Sequence, residues 1–299
     1  MTLTSSTDRA DTAVRVRTVT LLIAVTWALL WAGAFVATKL ALHHAAGTFV
    51  VGVRCAGAGL VLLALRRRRL RTARTELLRW SVAGLLTNTG YLGVMGVALP
   101  HLSAGMAAVL SAGTPLLVLG AGAVTGSSRL RAVHVVGLVL GVGGIVLSAL
   151  DRLDAGAIRG RGVALGVCAV IALAASTYLT PRLVRPGSDP LLATGWQALV
   201  GAVPLLVAAA ATGALPPGHI AGALAGELVF LIFGASVLGM TLWLLLIQRV
   251  GPGRASVAQF MPPLFSVALG MLFLGESVSL LALLAVIPVA VSTVLTTRP

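Results

Sequence analysis

Residues 81–124 read SVAGLLTNTGYLGVMGVALPHLSAGMAAVLSAGTPLLVLGAGAV, two apolar runs parted only by Pro100-His101-Leu102-Ser103. As one helix rising about 1.5 Å per residue, the stretch would be more than about 60 Å long, twice the roughly 30 Å hydrocarbon core of a bilayer. A tight turn at 100–103 is therefore forced, and the stretch reads as two membrane crossings. Outward from this pair, the same criterion places spans near 20–39, 48–65, 81–99, 104–124, 133–150, 162–180, 190–211, 229–248, 254–274 and 278–296, ten in all. The ninth and tenth meet at the brief polar interruption Gly275-Glu276-Ser277.

The composition agrees. Of 299 residues, 58% are hydrophobic and 10% charged, with mean hydropathy +1.02. A soluble domain carries about 25% charged residues, so this chain has too few to cover a surface facing water. Its main solvent is lipid, and no soluble domain is evident. The basic tail with Arg9, Arg15 and Arg17 could begin a signal peptide. The apolar stretch after it is too long for one and many spans follow, which favours a retained first helix. Cys55 and Cys168 lie in apolar runs and suit small buried side chains, not a disulfide. The histidines are scattered apart from His43 and His44, which point in different directions on a helix. No metal site and no cofactor is expected.

The net charge is +14, and seven arginines fall within RRRRLRTARTELLR at 66–79. Their position decides their meaning. With ten crossings and the N-terminus inside, 17 basic residues fall on inside segments: Arg9, Arg15, Arg17, Arg66 to Arg69, Arg71, Arg74, Arg79, Arg129, Arg131, Arg182, Arg185, Arg249, Arg254 and Arg298. Four fall outside, namely Lys39, Arg152, Arg159 and Arg161, and Arg54 lies within a span. This bias is the positive-inside signature and puts both termini in the cytoplasm. The arginine run is a topology determinant that can also meet anionic lipid headgroups; nucleic acid is not an expected partner.

The chain also echoes itself. Ala107-Ala108-Val109 through Thr114-Pro115-Leu116-Leu117 lies on Ala255-Ser256-Val257 through Pro262-Pro263-Leu264-Phe265 at a spacing of 148, with Gly122 on Gly270. At a spacing of 143, Phe35 through Lys39 meets Tyr178 through Arg182, and Arg54 meets Gln197. Five crossings per copy is an odd number, so the second copy enters the membrane from the opposite side. The expected architecture is all-α and integral to the membrane: ten helices as a 5+5 inverted-topology repeat, the arrangement of many secondary transporters. It divides into a cytoplasmic tail at 1–19, a first five-helix repeat at 20–150 and a second at 151–299.

This pattern resembles the EamA family of the drug/metabolite transporter superfamily. Trp31, Gly33, Phe35 and Lys39 resemble the opening signature of that family, and Arg54 the arginine of its second helix. Pro115 and Pro263 match prolines of its fourth and ninth helices, Leu272 through Glu276 the ending of the ninth, and Gly137 through Gly144 its glycine-rich fifth. One departure is visible: the first copy reads Gly126-Ser127-Ser128 where a Gly-Glu is expected. The resemblance implies a ten-helix carrier of the bacterial cytoplasmic (inner) membrane, commonly an efflux protein for amino acids, related metabolites or drugs.

Several side chains are candidates for the substrate pathway. Arg54 is the most expensive residue to insert, about 2.5–3.5 kcal/mol, unless it snorkels, bonds to backbone or faces a wet cavity. Asn88 and Tyr91 share a face with Gly84, as pathway or as inter-helix glue. Gln197 aligns with Arg54, and Gln259 precedes Pro262-Pro263. Trp31, Tyr178 and Trp243 offer aromatic faces. Pro115, Pro262 and Pro263 should bend their helices and suit a hinge or gate. Trp27 and Trp80 read as interface anchors. Lys39 and Glu276 are expected as an ion pair at the outer edge, where surface pairs contribute little.

No Asp or Glu lies deep in a span, so proton coupling would need Glu276, Glu227 or the substrate itself. The expected partners are a small-molecule substrate and membrane lipids; proton coupling, and monomer against homodimer, stay open. The alternative readings are a lipid-modifying membrane enzyme, resting on Asp151, Arg152 and Asp154, and a channel or receptor, for which no filter-like ring or signalling domain is evident.

Overall fold

The computed structural model describes residues 6–67, 72–126, 157–185, 187–215, 222–251 and 261–276, with single positions between them. The expected fifth and tenth crossings lie essentially outside these residues. So do Ser128, the Gly137–Gly141 spacing, Asp151, Arg152 and Asp154.

Every described element is helical. In chain order they are α1 (Ser6–Ala41), α2 (Gly47–Leu65), α3 (Arg74–Gly84), a π-helical segment (Leu85–Gly93), α4 (Val94–Ala98), α5 (Ala104–Ala112), α6 (Thr114–Val124), α7 (Ala157–Leu183), α8 (Pro190–Ala211), α9 (Gly222–Val229), a second π-helical segment (Phe230–Leu238), α10 (Gly239–Val250) and α11 (Met261–Leu274). Among the described residues, seven helices are long and apolar enough to cross a membrane: Arg17–Ala41, Gly47–Leu65, Arg74–His101, Ala104–Val124, Gly160–Leu183, Pro190–Ala211 and Gly222–Val250. Met261–Leu274 is a shorter apolar helix.

The turn demanded at 100–103 is present. A single 3-10 turn, Leu99–His101, ends the third crossing, and Ser103 Oγ accepts from Met106 N at 3.1 Å to cap the next helix. Elsewhere the helices extend past their apolar runs. The first begins at Ser6, inside the expected tail, and the eighth begins at Gly222 instead of 229.

The prolines act differently from the bends expected of them. The fourth crossing breaks at Gly113, and Pro115 stands in the first turn of α6. Pro262 and Pro263 likewise stand in the first turn of α11. A proline there loses nothing, because the first amides of a helix have no intrahelical acceptor.

Helices α2 and α8 form the central pair. Their approach depends on Gly59: a β-carbon there would lie 2.8 Å from Leu199 N and 2.9 Å from Gly195 O, both backbone atoms. At one end the pair is tied by Asp189. Its Oδ1 accepts from Leu191 N and Leu192 N to cap α8, and its Oδ2 lies 3.3 Å from Arg66 Nε at the end of α2. Around this pair the outward faces stay apolar and exposed, as at Leu22, Leu60, Leu78, Val207, Leu264 and Phe273. These side chains suit lipid contact, since no water-facing surface would leave so many uncovered.

Two tryptophans expected as interface anchors are buried between helices. Trp80 is 1% exposed and packs on Leu192 and Ala193. Trp27 is also buried, against Leu246 and Ala258. Cys55 is buried as expected, but Cys168 is exposed on the apolar outer face.

Candidate functional site

A cavity of about 830 Å³ runs into the bundle. Its wall follows α2 from Arg54 to Leu62, α6 from Thr114 to Gly122, α7 from Leu173 to Val184 and α8 from Pro190 to Ala198. It therefore occupies the half of the bundle where α2, α6 and α7 end and α8 begins. All eight side chains singled out for a pathway line it: Trp31, Arg54, Asn88, Tyr91, Tyr178, Gln197, Trp243 and Gln259. Pro115, Pro262 and Pro263 line it as well.

Arg54 is buried, and its Nε donates to Ser236 Oγ at 2.9 Å, joining α2 to the second π-helical segment. The guanidinium thus turns into the protein, and no escape to the nearer helix end is made. Among the described lining residues it is the only charged side chain.

Asn88 is both lining and glue. Its Nδ2 donates to Gly84 O at 3.3 Å and to Gln197 O at 3.1 Å, while its Oδ1 accepts from Cys55 Sγ at 3.6 Å. Gly84 makes this possible: a β-carbon there would sit 2.5 Å from Gln197 O. The Arg54 counterpart, Gln197, is therefore held by its backbone carbonyl, with its side chain at the cavity wall. Tyr91 OH lies 3.0 Å from Ser111 Oγ, which itself donates to Ala107 O at 2.8 Å. A hydroxyl has one proton, so Tyr91 is the donor to Ser111.

The aromatic wall is a stack. Trp27 lies 4.5 Å from Trp243 and 5.9 Å from Trp31 between ring centroids, with interplanar angles of 28° and 29°. Tyr178 has a different setting. Its ring carries the Arg182 guanidinium at 3.9 Å, and its hydroxyl lies 2.5 Å from Thr125 Oγ1.

Some lining groups carried no sequence signal. Ser236, and the hydrogen-bonded pair Thr87 and Ser176, are small hydroxyl residues in apolar helices, where such residues commonly bond to their own backbone. Trp27, expected as an interface anchor, also lines the cavity.

Away from the cavity, an ion pair ties elements together at the opposite end of the bundle. Lys39 Nζ lies 2.5 Å from Glu276 Oε1 and donates to Leu102 O at 2.8 Å. Glu276 accepts from Ala104 N through both carboxylate oxygens, each at 3.1 Å. One ion pair thus joins the end of α1, the turn before α5 and the end of α11. The side chains are only 22% and 13% exposed, which makes this more than the cheap surface pair expected.

Comparison with known proteins gives a consistent family. An uncharacterized transporter of Synechocystis is 28% identical over 86% of this chain and 83% of its own length. The uncharacterized inner membrane transporter YedA of Escherichia coli is 27% identical over 90% and 87%. A Salmonella typhimurium protein named "Probable amino-acid metabolite efflux pump" is 23% identical over 87% of both chains. One solved crystal structure shares the fold, with a TM-score of 0.66 and 19% identity over 93% of this chain and 96% of that one. The model of the EamA-like transporter family matches residues 18–150 and again 160–298. With its multiple membrane-capable helices, this multi-pass chain belongs to the EamA-like transporter family.

Proposed function

We propose that this protein is a secondary transporter that exports a small metabolite or drug across the bacterial cytoplasmic membrane by alternating access. The observation that carries the reading is the one-sided cavity. It reaches the end of the bundle that holds Leu62 and Val184, and it ends short of the Lys39–Glu276 tie. A path blocked at one end and accessible from the other is one half of an alternating-access cycle. The 17-to-4 distribution of basic residues assigns the accessible end to the cytoplasm, so this form is ready to load cargo from inside.

The second half of the cycle needs the two halves of the chain to exchange shapes. Three features support a 5+5 inverted pair at 20–150 and 151–299. The family model matches two separate stretches. The π-helical segments begin at Leu85 and Phe230, 145 residues apart. The α-helices that carry the matched prolines begin at Thr114 and Met261. In this reading Trp31, Arg54, Asn88, Tyr91, Tyr178, Gln197, Trp243 and Gln259 form the pathway, and the prolines mark the points where it opens.

The test is a mass-spectrometric comparison of medium and cytosol from cells producing the wild type or Arg54→Ala in equal amounts. Export predicts a compound enriched outside and depleted inside with the wild type alone. Equal shifts with both proteins would remove Arg54 from the pathway. If neither protein shifts any compound, and purified protein in liposomes also shows no solute counterflow, the transport reading falls.

A further inference from the structure

We infer that the cavity takes small organic monoanions, a single carboxylate or equivalent group attached to a flat apolar body, and discriminates against cations and α-amino acids. The site is the one proposed above for transport, but the inference concerns binding and stands or falls on it.

The charge count comes first. Arg54 is buried, is the only charged side chain among the described residues of the wall, and takes part in no ion pair with a described residue. A guanidinium stays protonated under all ordinary conditions. Its Nε is occupied by Ser236, and neither terminal nitrogen bonds to a described residue. A carboxylate docking on the free side of the fork would accept from those nitrogens, the geometry in which arginine binds anions most strongly. Ser236 adds a second donor. Its oxygen accepts from Arg54, and its own proton has no acceptor among the described residues. One positive charge matches one negative charge, so a dianion would leave half of its charge unpaired.

The apolar body has its own place. The turn between Ala41 and Gly47 puts those two helix ends at similar depth. At about 1.5 Å per residue, Trp31 and Trp27 then lie roughly 5 and 10 Å nearer the accessible end than Arg54. The Trp27–Trp31–Trp243 stack is therefore positioned to hold a ring or short apolar chain attached to an anion seated on Arg54.

The same wall rejects other charges. No Asp, Glu or His is among its described residues, so a bound cation finds no counter-charge. The ammonium of an α-amino acid is one carbon from its carboxylate and would be carried into the field of the guanidinium.

The experiment uses full-length protein in detergent, with equilibrium dialysis of radiolabelled phenylacetate against three ligands with the same ring: phenylacetamide (neutral), phenylalanine (zwitterion) and phenethylamine (cation). The expected result is displacement of phenylacetate by the three only at concentrations about tenfold or more above that of unlabelled phenylacetate. Arg54→Gln should abolish the preference, Arg54→Lys should retain part of it, and Ser236→Ala should weaken phenylacetate binding several-fold. The ligand series on the wild type decides the matter even if the arginine variants do not fold. Equal or tighter binding of the amine, the amide or phenylalanine overturns the inference, as does failure of phenylacetate to bind at millimolar concentration. Counterflow in liposomes separates this inference from the transport reading. Selective anion binding without flux removes transport and keeps the site. Flux of phenethylamine or phenylalanine in preference to phenylacetate removes the anion site and keeps transport.

Discussion

Lys39 and Glu276, 237 residues apart in sequence, meet at 2.5 Å at the end of the bundle that the cavity does not reach. Each also holds backbone of the turn between the third and fourth crossings, Leu102 O for the lysine and Ala104 N for the glutamate. The sequence echo places Arg182 where the first copy has Lys39, and Ser128 where the second has Glu276. Arg182 thus has no aligned carboxylate, and it rests on the Tyr178 ring instead. The Lys39–Glu276 ion pair therefore has no matching pair between the aligned positions of the other copy.

Breaking the Lys39 lock should loosen its end. Glu276→Gln keeps one acceptor oxygen but removes the opposite charge that pairs with Lys39, a loss of about 1 kcal/mol. In a background lacking Cys55 and Cys168, Ser103→Cys should react several-fold faster with an impermeant maleimide added outside the cell when Glu276 is replaced. Exchanging the pair as Lys39→Glu with Glu276→Lys should recover part of the protection. Unchanged labelling rates in all variants would show that the pair does not hold this end shut.

Gly84 should be intolerant of any side chain. Its neighbour is the Gln197 backbone, which cannot move aside as a side-chain tip could. Gly84→Leu is expected to lower the Tm in detergent by about 5 °C or more through overpacking. Gly120 has nothing within 4 Å of an added β-carbon, and Gly120→Ala serves as the control with a Tm near that of the wild type. Similar behaviour of the two variants would contradict the close α3–α8 approach.

Asn88→Ala should cost less. It removes one side-chain bridge to Gln197 O, and inter-helix hydrogen bonds in membrane proteins average about 0.6 kcal/mol with a maximum near 1.7. A modest fall in unfolding midpoint is expected, with the double variant Asn88→Ala, Cys55→Ala showing less than additive loss. Full additivity would mean that the 3.6 Å contact between Cys55 and Asn88 carries no energy.

Topology can be tested at the arginine run. A C-terminal fluorescent-protein fusion should be bright and an alkaline phosphatase fusion inactive, as for any cytoplasmic terminus. Replacing Arg66 to Arg69 with glutamine should raise phosphatase activity by relaxing that bias. A phosphatase fusion already active on the wild type would invert the assignment of the cavity mouth.

Much of the fold was legible because hydropathy registers the length of a crossing, and a 44-residue run cannot cross once. The ends of helices were less legible. The eighth crossing continues back through Glu227, a charged residue that interrupts an apolar count without interrupting a helix. Burial was illegible too: Trp27 and Trp80 stand near the ends of apolar runs, where hydropathy does not tell which neighbouring helix covers a ring, and both are covered by protein. In the cavity, Arg54, Asn88 and Tyr91 stood out because polar groups in lipid-spanning helices are costly. Ser236 did not, since a serine in a helix can satisfy itself on its own backbone and leaves no trace in sequence. Proline position was ambiguous in the same way: a breaker in mid-helix and a starter in the first turn have the same letter.

The paired π-helical segments have a mechanical consequence. Amides there reach back five residues instead of four, so each segment stores one residue more than α winding needs. Returning that surplus residue to α pitch turns everything beyond it by about 100° about the helix axis, with backbone bonds re-formed one step along. The segments hold Asn88 and Tyr91 in one case and Ser236 in the other. One such click in the first segment would turn the Gln197 partner Asn88, and one in the second would turn the Arg54 partner Ser236, each without breaking its helix.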